Sequence, residues 1–96
     1  MLYVLICTDR PNSTALRLEV RPRHLAYIDQ HKASVPVAGP FVSEDGATMM
    51  GSMIVFEAAN LAAAQAFSVN DPYTQAGLFS SVDIRPWRWT LGAPKV

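Results

Sequence analysis

Asp71 is the first candidate for chemistry in this chain, because it lies in the sequence Asn-Asp-Pro-Tyr at 70–73, where an alanine-rich helical pattern ends. Pro72 cannot donate a backbone hydrogen bond, and it disfavours helical geometry at the residue before it. The carboxylate is therefore expected to be held at a helix end. There it could act on a ligand in a pocket, or it could only accept hydrogen bonds from backbone N–H groups of the next turn.

His24 is the candidate partner of Asp71. An imidazole and a carboxylate are sufficient to remove a proton and deliver it elsewhere, with the carboxylate either orienting the ring or acting as the base itself. A histidine near the start of a helix can also simply hydrogen-bond a neighbouring side chain or serve as a cap. Both interpretations stay open on the residues alone.

Several other chemistries lack the residues that they need. One His–Asp pair supplies too few ligands for a zinc site, and no HxxxH or CxxC spacing completes one. The chain has no Gly-rich phosphate loop, no dinucleotide fingerprint and no nucleophile elbow. We therefore expect neither a metal nor a cofactor.

Cys7 is the only cysteine, and it lies in the apolar run LYVLICT at 2–8. A thiol in an apolar strand has a raised pKa and is inert, an interpretation that we favour over a nucleophile. A lone cysteine cannot form an intrachain disulfide, which favours a reducing compartment.

Composition and charge exclude two kinds of partner. The 96 residues carry eight basic and eight acidic side chains, so there is no concentrated basic face for a nucleic acid. The longest apolar runs are far short of a membrane span, and the N-terminus lacks a signal-peptide pattern. We expect a cytoplasmic protein that binds neither nucleic acid nor membrane.

Hydrophobic spacing and turn residues predict the elements that position the site. We predict strands at 2–8, 50–57 and 79–89, an irregular edge strand beginning near 35, helices at 15–33 and 61–69, and a tail from about 90. Pro22 costs about 3 kcal/mol in a helix interior but almost nothing at the first position. The first helix should therefore break near Arg21 or restart there, which would place His24 in a first turn and turn Leu25 and Ile28 toward the core.

The order strand, helix, strand, strand, helix, strand is typical of the ferredoxin-like α+β fold, βαββαβ, in which the first and third strands are central. Both of these strands have apolar residues on both faces. Two helices can cover only one face of the sheet. We therefore expect a second copy to cover the other face, in a two-fold homodimer.

The sequence VRPRHLAY at 20–27 is similar to the RPxHL signature of the YciI-like, or YCII-related, family. The motifs AGP, GS, DPY, AG and IRPW follow at 38–40, 51–52, 71–73, 76–77 and 84–87, in the order and spacing of that family, over about residues 1–89. The resemblance implies one domain, 1–96, with a dimeric α+β barrel fold. It also implies an active site of a histidine and an aspartate, which match His24 and Asp71.

One activity in this family is the removal of HCl from a chlorinated hydroxyhydroquinone, and the related muconolactone isomerases shift protons on small lactones. The resemblance thus implies a cofactor-free acid/base enzyme, by elimination or isomerisation, for a small hydroxylated aromatic or its degradation product. A non-catalytic dimer that binds a metabolite is the alternative. If His24 and Asp71 share a site, they should lie within direct or one-water hydrogen-bonding reach.

Three further residues are expected to bind the substrate, and each has an ordinary structural alternative. Tyr73 would border the pocket or pack partly buried in the core. Ser52 would hydrogen-bond a ligand or its own backbone. Arg21 would attract an anionic substrate or remain a solvated helix arginine.

Overall fold

The two strands with apolar residues on both faces lie at the centre of a four-stranded antiparallel sheet of order β2-β3-β1-β4. A computed structural model describes residues 1–94, so the last two residues of the predicted tail lie outside the described residues. The ferredoxin-like α+β fold and its central first and third strands are confirmed. The elements are β1 (Leu2–Asp9), α1 (Thr14–Gln30), β2 (Val37–Val42), β3 (Met49–Glu57), α2 (Leu61–Val69), α3 (Pro72–Gln75) and β4 (Phe79–Trp87).

The core lies between the sheet and the helices. Alternate β1 side chains, among them Tyr3 and Leu5, point to the helices and are buried. Leu5 pairs with Ile54 on β3, so the two central strands present one continuous apolar surface to the helices. From α2, Phe67 stacks on Phe56 with 3.9 Å between ring centroids. This packing fixes α2, and therefore the segment that follows it, against the sheet.

The predicted bounds of α2, 61–69, are confirmed. Asn60 accepts a hydrogen bond from the Ala63 backbone N–H at 2.9 Å, as an N-cap does. After α2, residues 72–75 form the short helix α3, which is followed by Gly77 with a φ of +74°. Pro72 at the first position of α3 lacks an N–H that would have no partner there in any case.

The predicted break in the first helix is wrong. Helix α1 continues through Pro22, which is exposed to solvent, so water can satisfy the carbonyl that a proline cannot bond. His24 therefore lies in the third turn of α1 and not in a first turn. Ile28 packs against the core as expected, but Leu25 is 47% exposed and does not face the core.

Smaller corrections concern the ends of elements. Helix α1 ends at Gln30, and residues 32–34 form a separate short 3-10 turn where the prediction extended the helix to 33. Strand β4 ends at Trp87, so Trp89 lies beyond the sheet. In residues 1–94 no helix is long and apolar enough to cross a bilayer.

The sheet face without helices carries apolar side chains from three strands, among them Val4, Met53 and Phe41. Phe41 keeps 42% of its surface exposed in the single chain. We predict that a second copy covers this face, so that sedimentation at micromolar concentration gives twice the 10.5 kDa chain mass.

A charged substitution on this face tests dimerisation separately from folding. Phe41→Asp is expected to yield a folded monomer, because the new carboxylate would be buried between two sheets. Leu18→Asp is the matched control, since Leu18 is an exposed apolar residue on α1, and it should leave the dimer intact. A wild-type protein that sediments as a clean monomer at micromolar concentration would contradict the prediction.

Candidate functional site

His24 and Asp71 are in direct contact in the structure. The Nδ1 atom of His24 lies 2.9 Å from Oδ1 and 3.1 Å from Oδ2 of Asp71. Their side chains are only 11% and 3% exposed, so little solvent screens the contact. The predicted proximity is confirmed, whereas the catalytic role of the pair stays a prediction.

Asp71 performs the capping task that the sequence left as one alternative, and it also contacts His24, while action on a ligand stays a prediction. It is the N-cap of α3, where Oδ1 accepts a hydrogen bond from the Tyr73 backbone N–H at 2.9 Å. The same carboxylate also contacts His24. The short helix therefore holds the acid in place, and the acid in turn orients the ring on α1.

The contact with Asp71 identifies the nitrogen of the imidazole that carries a hydrogen. An ionised carboxylate only accepts hydrogen bonds, so Nδ1 of His24 carries a hydrogen and donates it to Asp71. Nε2 forms no hydrogen bond within residues 1–94. It is also not fully buried, because Thr74 Oγ1 is the one side-chain nitrogen or oxygen atom of these residues that is both fully buried and without a hydrogen bond. In the neutral ring, Nε2 has a lone pair and can act as a base.

Tyr73 forms a rigid wall beside the imidazole. Its ring stacks on His24, with 4.0 Å between centroids and 17° between the planes. Burial raises the pKa of Tyr73, which keeps its phenol protonated at neutral pH. The expectation of partial burial is wrong, because Tyr73 is 1% exposed and packs with Val20 and Leu78.

A buried ion pair adjoins this wall. Arg17 donates to Asp9 through Nε at 2.7 Å and through Nη2 at 2.9 Å. Nη2 also donates to Ser52 Oγ at 2.9 Å, and the guanidinium carbon lies 4.6 Å from the Tyr73 ring centroid. Burial alone would lower the pKa of Arg17, but the hydrogen bonds and charge of Asp9, with smaller contributions from Tyr73, outweigh burial and raise it. Arg17 is therefore a permanent buried cation.

Arg17 and Asp9 were not among the predicted site residues. The signal was present in the sequence: in a continuous helix, Arg17, Val20 and His24 are spaced i, i+3 and i+7 and share one face. The assumed break at Pro22 separated Arg17 from His24. Asp9 lay just beyond the predicted strand 2–8, although it is the last residue of β1.

A cavity of about 270 Å³ opens beside the pair, and four of the five predicted site residues line it, all except Asp71. Ser52 forms part of its wall at 4% exposure, next to Gly51, where a Cβ would collide with the carbonyl oxygen of Cys7. Arg21 also lines the cavity and is exposed, so it lies at the rim. The lining comprises Arg17, Arg21, His24, Leu25, Ile28, Ala38, Gly39, Pro40, Met49, Ser52, Ile54 and Tyr73.

A larger cavity of about 760 Å³ lies at the other end of the sheet. Its lining includes Trp87 and Trp89, whose ring centroids are 5.7 Å apart. The lining side chains include Glu57 and Arg88 but no histidine or cysteine. The chemistry described above therefore belongs to the smaller cavity. In residues 1–94 no group of three or more His, Cys, Asp and Glu side chains is placed to hold a metal ion.

Cys7 pairs with Ser52 across the sheet but is 1% exposed. Burial raises its pKa to about 12, so the thiolate is scarce at neutral pH. We predict that a thiol reagent labels the native protein at least roughly 10³-fold more slowly at pH 8 than it labels the protein unfolded in guanidinium. Rapid labelling of the native protein with loss of ligand binding would show that Cys7 is functional.

Comparisons with known proteins agree with the fold and with the resemblance to the YCII-related family. A model of the YCII-related domain matches residues 1–88. Protein YciI of Escherichia coli O6:H1 and that of Shigella flexneri are each 36% identical over 95 residues, which cover 92% of this chain and 97% of the relative. An uncharacterized protein of Haemophilus influenzae is 35% identical over the same coverage.

Among solved structures, 5-chloro-2-hydroxyhydroquinone dehydrochlorinase from Burkholderia phenoliruptrix AC1100 superposes with a TM-score of 0.86 and 35% sequence identity. The match covers 92% of this chain and 94% of the dehydrochlorinase. That enzyme was solved in complex with 2,5-dihydroxybenzoquinone.

Proposed function

Because this chain belongs to the YCII-related domain family, we propose that it is a cofactor-free acid/base enzyme for a small hydroxylated aromatic or its degradation product. The observation that carries the proposal is the buried His24–Asp71 contact, with His24 lining a cavity. A buried histidine oriented by a carboxylate is the arrangement that a general base needs.

His24 is the group that moves the proton in this proposal. Its Nε2 removes a proton from a substrate hydroxyl, and the negative charge of Asp71 stabilises the imidazolium that forms. The same imidazolium then delivers the proton to a carbon of the substrate ring. Stacking on Tyr73 and the contact with Asp71 hold the ring in one orientation, so no reorganisation is needed during the transfer.

The solved dehydrochlorinase and the size of the cavity support the proposed kind of substrate. On a chlorinated hydroxyhydroquinone, the proton from oxygen is delivered to the chlorine-bearing carbon. A second hydroxyl then loses its proton as chloride leaves with the carbon–chlorine electron pair, so that HCl is removed and a hydroxyquinone remains. Without a chlorine the same transfer gives an isomer. A cavity of about 270 Å³ accommodates one substituted ring.

We also propose that the enzyme is a homodimer of the cytoplasm. The apolar sheet face without helices supports the dimer. The single buried cysteine, Cys7, supports a reducing compartment.

Turnover measurements test the proposed function. The protein is incubated without oxygen with 5-chloro-2-hydroxyhydroquinone, and separately with muconolactone, while chloride release and ultraviolet absorbance are followed. We expect protein-dependent chloride release from the first compound or isomerisation of the second. Binding of either compound without any product would instead support the non-catalytic metabolite-binding dimer.

A further inference from the structure

We propose that Met49 determines the length of the ligand that the smaller cavity accepts, because its side chain separates that cavity from a third one. The third cavity has a volume of about 490 Å³ and lies between the loop before α1 and the hairpin that joins β2 to β3. The inference rests on the proposed function in placing the ligand in the smaller cavity. It adds the residue that selects among ligands, which the His24–Asp71 contact does not specify.

An irregularity in the pairing of β2 with β3 turns Met49 toward the smaller cavity. Pro40 pairs with Ser52, and both residues line that cavity. Two residues further along β2, Val42 pairs with Met49, although regular pairing would place it opposite Met50. Met50 is therefore the extra residue of a β-bulge, a feature that redirects neighbouring side chains. As a result Met49 lines the smaller cavity, whereas Met50 does not and is 54% exposed.

Within residues 1–94, Met49 is the residue that lines both cavities. The buried ion pair also lies between them, since Asp9 lines the third cavity and Arg17 lines the smaller one. These two side chains are 7% and 3% exposed and 2.7 Å apart, so moving either one would separate two buried charges. The side chain of Met49 is uncharged and has three rotatable bonds. It is therefore the movable part of the partition.

The hairpin before Met49 is held by its own hydrogen bonds, which fix the backbone at this point. The Ser43 backbone N–H donates to the Thr48 carbonyl at 2.8 Å, and the Thr48 N–H donates to Ser43 Oγ at 3.1 Å. Ser43 Oγ donates in turn to Asp45 at 2.6 Å, and Gly46 supplies the turn with a φ of +77°. Only the side chain of Met49, and not the hairpin, has to be displaced or shortened for the two cavities to join.

The two cavities differ in what they offer a ligand. The smaller cavity, of about 270 Å³, accommodates one substituted ring beside His24. Four hydroxyl side chains line the third cavity, namely Ser13, Thr14, Ser43 and Thr48. A ring that carries a hydroxyalkyl chain would thus fill both cavities if Met49 did not intervene. With Met49 in place, we expect the site to select compact rings.

Isothermal titration calorimetry with two catechols, carried out without oxygen, tests the inference. 4-Methylcatechol has a compact substituent, whereas 4-(3-hydroxypropyl)catechol extends the same ring by a polar chain. We expect the wild-type protein to bind the compact compound at least roughly tenfold more tightly, the scale on which a pocket discriminates between ligands that differ by small groups. Met49→Ala should remove this preference or reverse it, because the chain then reaches the third cavity.

Two further variants serve as controls. Met50→Ala truncates the adjacent methionine, which lines the third cavity but not the smaller one, and the preference of the wild type should remain. Met49→Leu keeps an apolar side chain of similar volume, so it should also keep the preference. Circular dichroism and denaturation by urea establish that each variant is folded.

Four outcomes would overturn the inference: the wild type binds both catechols equally, Met49→Ala keeps the preference, Met50→Ala removes it as fully as Met49→Ala, or neither compound binds either protein at millimolar concentration. The proposed reaction is judged separately, by turnover. A protein that shows the preference without turnover would refute the reaction and leave the role of Met49 standing. An active enzyme without the preference would refute only the role of Met49.

Discussion

Asp71→Asn is expected to lower turnover by roughly 10²-fold or more while the fold stays intact. Asparagine is as good an N-cap as aspartate, so its amide oxygen can still accept from the Tyr73 backbone N–H and hold α3. The amide nitrogen, however, would replace Oδ2, which lies 3.1 Å from the donor Nδ1 of His24. The charge that stabilises the imidazolium is lost as well. Steady-state kinetics and circular dichroism measure the two effects separately.

A matched substitution at another helix N-cap is the control for the capping role. Asn60→Asp makes the reverse amide-to-acid change at the exposed N-cap of α2, and it should alter neither turnover nor secondary structure. If Asp71→Asn turns over normally, Asp71 is only a helix cap, and the proposed mechanism is wrong.

Arg17→Met is expected to destabilise the protein by about 3–5 kcal/mol. The cost arises because the carboxylate of Asp9, with a side chain 7% exposed, would be left buried without its cation. Denaturation by urea, followed by circular dichroism, gives the free energy of unfolding. Replacing both partners, as in Asp9→Leu with Arg17→Met, should recover much of the loss.

The exposed pair of Arg85 and Asp83 provides the control. Its N–O distance of 2.9 Å is close to that of the buried pair, but the two side chains are 73% and 52% exposed. Solvent screens such a pair, so Arg85→Met should cost less than about 1 kcal/mol. Equal small losses from Arg17→Met and Arg85→Met would show that the buried pair contributes little to the fold.

The sequence predicted the sheet because its central strands differ visibly from the others. Strands covered on both faces need apolar residues at odd and even positions alike, and β1 has them. The edge position of β2 was likewise predicted, and it fits Pro40, since a proline cannot donate to a neighbour in the middle of a sheet. Both inferences use local composition, and local composition is what a single sequence records well.

The site was predicted less completely, because it depends on which face of a helix each residue occupies. The energetic cost of Pro22 led to the prediction of a break in the helix. That cost is small where water can hydrogen-bond the carbonyl group that the proline leaves unpaired. An unbroken α1 turns Arg17 and His24 to the same side. The partner of Arg17, Asp9, lies on β1, and no spacing rule links a strand end to a helix face.

The positions of the two tryptophans determine what their fluorescence can report. Trp87 pairs with Leu2, whereas Ser52 pairs with Cys7, five residues further along β1. At 3.4 Å per residue the pair at Trp87 lies about 17 Å from Ser52 along the strand. Within one chain, intrinsic tryptophan emission should thus follow unfolding at the far end of the sheet and stay nearly silent when the smaller cavity fills. An emission change on adding ligand would point to the larger cavity.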